Sequence, residues 1–167
     1  MEKLSSYLCI TLLLAFFFSA HANEDIIGIV TKVADGDTVT LKAEGTIHKI
    51  RLAEIDTPER DQPYGLIAKA ALTELLLDKR VRVKVVKESD RYGRVIGRIF
   101  LGHTDVSAYM VEMGHTMVYR RYLTDDSLLE LEDNAKSNQL GLWKLPQEDR
   151  VPPWIWRQQQ RNEATTK

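Results

Sequence analysis

Residues 26–55 read IIGIVTKVADGDTVTLKAEGTIHKIRLAEI, and this stretch decides the fold. Ile26 to Val33 is rich in β-branched residues and reads as a strand, closed by the turn Asp35-Gly36-Asp37. Thr38-Val39-Thr40-Leu41 alternates polar and apolar, so a second strand begins at once. Glu44-Gly45 turns the chain again. Ile47 to Ile55 then reads as a third strand, with Ile50 and Leu52 on one face and Arg51 and Ala53 on the other.

Pro58 ends this run, and a polar loop leads to Gly65. Leu66 to Asp78 has helical spacing. Leu66, Ala70, Thr73 and Leu77 make one row and Ile67, Ala71 and Leu75 another, which predicts a broad apolar face. Val81, Val83 and Val85 alternate with Arg82 and Lys84 as a half-buried strand, Tyr92-Gly93 turns, and Val95 to Leu101 returns. A short helix is expected from Asp105 to Met113, stopped by Gly114. Another starts at Thr124 as N-cap, with Asp125 and Asp126 in its first turn. It carries Leu128, Leu131 and Ala135 inward and ends near Gly141. The fold class is therefore α+β, mainly β: five strands closing a small barrel, with three helices packed on it.

Composition separates the two ends from the middle. Leu8 to Phe18 are almost wholly apolar, Lys3 precedes them, and Ala20-His21-Ala22 follows in an A-x-A arrangement. That pattern predicts a secretory signal at residues 1–22, cleaved after Ala22, since a membrane span needs about 20 apolar residues. Residues 23–145 form the expected domain and 146–167 an extension. In the extension, Pro152-Pro153-Trp154-Ile155-Trp156-Arg157 is expected to pack its tryptophans on the body, and Gln158 to Lys167 to fray. The single cysteine, Cys9, falls in the leader, which leaves the mature chain without disulfides, thiolate zinc sites or thiol catalysis. The histidines (His21, His48, His103, His115) form no H-x-x-x-H pair. A formal net charge of −1 gives no global attraction to polyanions, so any nucleic-acid partner must meet a local basic surface. Lys79 to Arg98 is one candidate, carrying eight basic residues against Glu88 and Asp90.

Three segments carry chemistry: Asp35-Gly36-Asp37-Thr38, Arg51 to Glu59 (RLAEIDTPE), and Asp90-Arg91-Tyr92-Gly93-Arg94. Phosphodiester cleavage needs a hard cation on a phosphate oxygen, and hard cations take oxygen ligands such as the Asp37 and Asp56 carboxylates. It needs a water oriented or deprotonated, which Glu59 can do. It also needs charge stabilisation on the equatorial oxygens, for which the planar, always charged forks of Arg51 and Arg94 are suited. Taken singly, Asp35 and Asp37 read as turn residues, and Arg51, Glu59 and Arg94 as surface charges.

Together and in this order, the segments resemble the staphylococcal nuclease family over about Ile26 to Trp143. Its D-G-D-T, R-L-x-x-x-D-[TA]-P-E and D-x-Y-G-R patterns are intact, and P-P-W-I-W-R resembles the P-x-W-x-W-R ending of many bacterial members. The resemblance implies an OB-fold-like barrel, Ca2+ as cofactor, DNA and RNA as substrates, and cleavage of P–O5′ to leave 3′-phosphates. It places Asp37, Asp56 and the Thr57 carbonyl on calcium, Glu59 as general base, and Arg51 and Arg94 on the phosphate. Asp35 supports the first loop, Arg91 and Tyr92 contact the nucleotide phosphate, and Tyr122, with Tyr119 beside it, contacts the nucleotide. Arg120 stands where another family tyrosine is expected, and the loop after Glu59 is short. The expected molecule is a secreted or periplasmic monomer without stable membrane association. The alternative is a non-catalytic nucleic-acid-binding module of OB type, with a sugar-binding barrel further off.

Overall fold

A computed structural model describes residues 25–165; the expected leader at 1–22 lies outside the described residues. Strands β1 (Ile26–Val33), β2 (Thr38–Ala43) and β3 (Thr46–Leu52) follow in antiparallel succession. A two-residue strand β4 (Ile55–Asp56) comes next, then helix α1 (Gly65–Leu76). Strands β5 (Arg80–Lys87), β6 (Val95–Leu101) and the short β7 (Thr104–Asp105) follow. Helix α2 (Val106–Glu112), strand β8 (Met117–Val118), helix α3 (Ser127–Ser137) and helix α4 (Pro153–Thr165) complete the order. Among the described residues no helix is long and apolar enough to cross a membrane.

The strands pair in the order β3-β2-β1-β5-β6-β7, and a parallel pairing of β3 with β6 closes five of them into a barrel. The expected α+β fold, a five-stranded OB-fold-like barrel, is what forms. Closure removes the open edges that a five-stranded sheet would otherwise expose. Val30, Leu41, Ile50, Leu52, Val83 and Ile99 fill the interior, and Leu72 and Leu76 of α1, Met110 of α2 and Leu128 of α3 join the same core.

Four details depart from the sequence reading. The third strand does not run to Ile55. It stops at Leu52, and Glu54 adopts a positive φ of 67°, so β4 leaves the barrel and pairs with β8. The same Glu54 explains the start of α3. Its Oε1 accepts from the Thr124 amide and hydroxyl (2.6 Å each) and the Asp125 amide (3.0 Å). Thr124 is therefore occupied, and α3 begins after Asp126, with Leu128, Glu132 and Ala135 buried and Leu131 only partly so. On α1 the buried row is Gly65, Ala68, Leu72 and Leu76, whereas Leu66 and Ile67 are exposed. Apolar residues surround α1 on so many sides that periodicity alone did not select the face. Finally, Gln158 to Thr165 continue as helix α4, with Pro153 in the first turn, where a missing N–H costs nothing.

Candidate active site

Barrel closure assembles the site. Thr38 lies opposite Arg51 across β2 and β3, and Arg51 lies opposite Ile96 across β3 and β6. The turn before β2, the end of β3 and the turn before β6 therefore meet at one end of the barrel. Gly36 lets the first turn press on Thr57, since a Cβ there would collide with the threonine methyl. Gly65 does the same for the Glu59 loop, where a side chain would strike the Glu59 carbonyl.

Asp37 and Asp56 are buried, with relative exposures of 6% and 1%. The Asp37 carboxylate accepts from the Thr38 hydroxyl (3.0 Å) and the Thr57 amide (3.1 Å). Arg51 ties the two acids together, 3.3 Å from Asp37 and 2.9 Å from Asp56, and also donates to the carbonyls of Leu52 and Ile55 (2.8 and 2.9 Å). Asp35 accepts from the Asp37 amide (3.1 Å) and shapes the turn. Burial, then the neighbouring Asp37 charge, pushes its carboxyl up to about 6. Burial also raises Asp56, and its bonds from Arg157 and the charge of Arg51 only partly counter this.

Arg94 is held by Asp90, which takes its Nε and Nη2 at 2.9 and 2.8 Å, while Nη1 reaches the Thr38 hydroxyl at 3.4 Å. Asp90 also accepts from the Tyr92 and Arg94 amides (2.8 and 3.0 Å), which fixes the turn. Burial alone would raise the Asp90 carboxyl, but these bonds hold it below the usual carboxylate value. Arg91 lies over the Tyr92 ring at 4.7 Å, and Tyr92 is exposed. Tyr119 and Tyr122 meet edge to face at 5.0 Å, with Tyr122 exposed. All eleven residues singled out in the sequence line one cleft of about 830 Å³.

Arg157, which also lines this cleft, was not among the site residues expected from the sequence. Arg157 of α4 donates to both Asp56 oxygens (2.6 and 3.2 Å) and to Glu59 (2.6 Å). Burial works against its charge, yet the bonds to Asp56 and Glu59 raise its pKa above that of an ordinary arginine. Gln62 ties the same parts together, accepting from the Glu59 amide (3.1 Å) and donating to the Val151 carbonyl. Trp154 stacks on Tyr119 at 5.2 Å and 6°. The expected packing of the extension on the body is thus centred on the site. The basic run from Lys79 to Arg98, by contrast, is divided. Arg82 pairs with Asp25, and Arg98 with Glu54, Asp105 and Asp125, leaving Lys87, Arg91 and Arg94 on the cleft.

The donors at Asp37 and Asp56 are oxygens only, with the Thr57 carbonyl one peptide on, which suits a hard cation. Two guanidinium groups already converge on Asp56, so this point is built to receive positive charge. Among the described residues no group of three or more His, Cys, Asp or Glu is arranged to hold a metal. A cation here would rely on these two carboxylates, the Thr57 carbonyl and water for the rest of its shell.

A closed barrel with a cleft of acids, arginines and tyrosines at one end is an OB-type ligand-binding barrel. Residues 49–145 match the family model described as staphylococcal nuclease homologue. The chain is 39% identical over 134 residues to an uncharacterized endonuclease of Escherichia coli, covering 80% of this chain and 86% of the relative. It is 36% identical over 155 residues to a micrococcal nuclease of Shigella flexneri, covering 86% and 87%. It is 35% identical over 153 residues to an uncharacterized endonuclease of Haemophilus influenzae, covering 90% and 84%. The chain belongs to the staphylococcal nuclease family.

Proposed function

We propose that this protein is an exported, calcium-dependent nuclease that hydrolyses phosphodiester bonds of DNA and RNA and leaves 3′-phosphate ends, acting as a monomer. The observation that carries this reading is the meeting of every acid and arginine of the three motifs in a single cleft. Family membership and the names of the relatives add to it.

In this reading Asp37, Asp56 and the Thr57 carbonyl would hold the cation, and its chemistry there would be Lewis-acid neutralisation of a phosphate oxygen. Glu59 takes a proton from the attacking water. The water oxygen bonds to phosphorus, the P–O5′ bond breaks, and the leaving oxygen takes a proton from solvent. Arg94, aimed by Asp90, donates to the equatorial oxygens as their charge grows. Arg51, the other arginine expected on the phosphate, lies between the two buried acids and keeps them together as a pair, so their geometry is set before the substrate arrives. Arg157 pairs with Asp56 and holds the Glu59 carboxylate on the rim of the cleft.

Two measurements test the finer parts. A 5′-labelled single-stranded oligonucleotide digested with calcium should give products that a polymerase extends only after phosphatase treatment. Products extendable directly would overturn the P–O5′ assignment. Terminal sequencing of protein recovered outside the cytoplasm should begin at Asn23; retention of residues 1–22 would overturn the cleaved leader.

A further inference from the structure

Helix α4 follows the segment that the family model matches, residues 49–145, yet it forms part of the cleft. Trp154, Arg157 and Arg161 all line it. Their spacing of three and four residues puts them on one helix face. Arg157 is the tie: its bonds to Asp56 and Glu59 fix that face against the site. Trp154 and Arg161 flank the tie on either side. Trp154 is half-buried against the Met117, Leu142 and Trp143 cluster and stacks on the half-buried Tyr119, whose other neighbour, Tyr122, presents an exposed ring. Arg161 is exposed, four residues or about 6 Å along the axis from Arg157.

An aromatic stack beside exposed cations is the surface that a single nucleic-acid strand requires, with rings for unpaired bases and guanidinium groups for phosphates. A paired base offers no free face to such rings, so the surface favours a strand over a duplex. We propose that α4 is a second wall of the substrate cleft, a binding site for the single strand beyond the scissile phosphate. Arg161 contacts a phosphate there, and the Trp154–Tyr119 stack contacts an unpaired base. This proposal rests on the nuclease reading for the position of the scissile phosphate.

The test is binding without cleavage. Fluorescence anisotropy of a labelled oligothymidylate is read with the whole protein in a chelator, across a salt series. Arg161→Gln, an exposed change that leaves the core untouched, should weaken binding about three- to tenfold and lower the salt slope by about 0.7, the share of one phosphate on a single strand. Trp154→Leu should weaken binding about tenfold at a nearly unchanged slope. A hairpin duplex should bind more weakly than the single strand. Wild-type affinity and slope in both variants, or no binding by the wild type, would overturn the wall. Loss of binding in the variants of a protein that releases no nucleotides with calcium would keep the wall and remove the nuclease reading. Cleavage with unchanged binding would do the reverse.

Discussion

Replacing Glu54 with alanine strips the device that joins the strand break to the start of α3. Glu54 is 7% exposed, and its Oε1 alone accepts from the Thr124 amide, the Thr124 hydroxyl and the Asp125 amide. Its Oε2 lies 3.3 Å from Arg98. In the alanine variant the hydroxyl can turn to water, but two backbone amides lose their acceptor, at about 1–3 kcal/mol each when water cannot replace it. Arg98 keeps Asp105 and Asp125 at 3.0 and 2.9 Å, so no unpaired buried charge is added. The loss comes to about 2–4 kcal/mol, since Thr124 and Asp125 lie near the surface. For a chain of this size that is a fall in melting temperature of roughly 5–15 °C. Glu54→Gln keeps a carbonyl oxygen for the same three donors and should cost about 1 kcal/mol or less. Urea unfolding followed by circular dichroism measures both. An alanine variant within about 0.5 kcal/mol of wild type, or a glutamine variant as unstable as the alanine one, would refute this account of the strand break.

Three further predictions concern the site and its surroundings. Glu59→Gln should fold and bind calcium yet lose about 10²- to 10⁴-fold in kcat, read by single-turnover digestion; near-normal turnover would remove Glu59 as the base. Arg94→Ala should lower kcat by about 10²- to 10³-fold while oligonucleotide Kd moves far less, because its work is in the transition state; an unchanged kcat contradicts this. Burial lowers the His115 imidazole below its ordinary 6.5, and Nδ1 lies 2.9 Å from the Tyr64 hydroxyl. The unfolded chain then binds the proton first, so this contribution is full above about pH 6.5 and fades as pH falls toward the lower folded value. Melting temperatures from pH 8 to 5 should therefore drop more steeply in wild type than in His115→Gln, and parallel curves would count against the assignment.

The barrel was legible because its strands carry period-two alternation and their turns carry Asp-Gly and Tyr-Gly pairs. Two of the three motifs sit at those turns and the third at the end of β3, so reading the strands and their turns also located the acids and arginines. Glu54 was not legible. It looks like one more polar residue in an alternating run, and its long-range bonds, some 70 residues away, leave no local pattern. The buried face of α1 was hidden for the opposite reason, an excess of apolar residues. Arg157 acts 98 residues from Glu59. Its signal lay in the Trp-x-Trp-Arg ending, where aromatic residues next to a cation read first as packing and only then as ligand surface. Only the tertiary position of α4 separates those two readings.

The most direct measurement is release of acid-soluble nucleotides from heat-denatured DNA by the purified protein, first with calcium and then with a calcium chelator. Release with calcium and none with the chelator is the expected result. No release in either condition, from folded protein that still binds DNA, would contradict it and leave a barrel that binds nucleic acid without cutting.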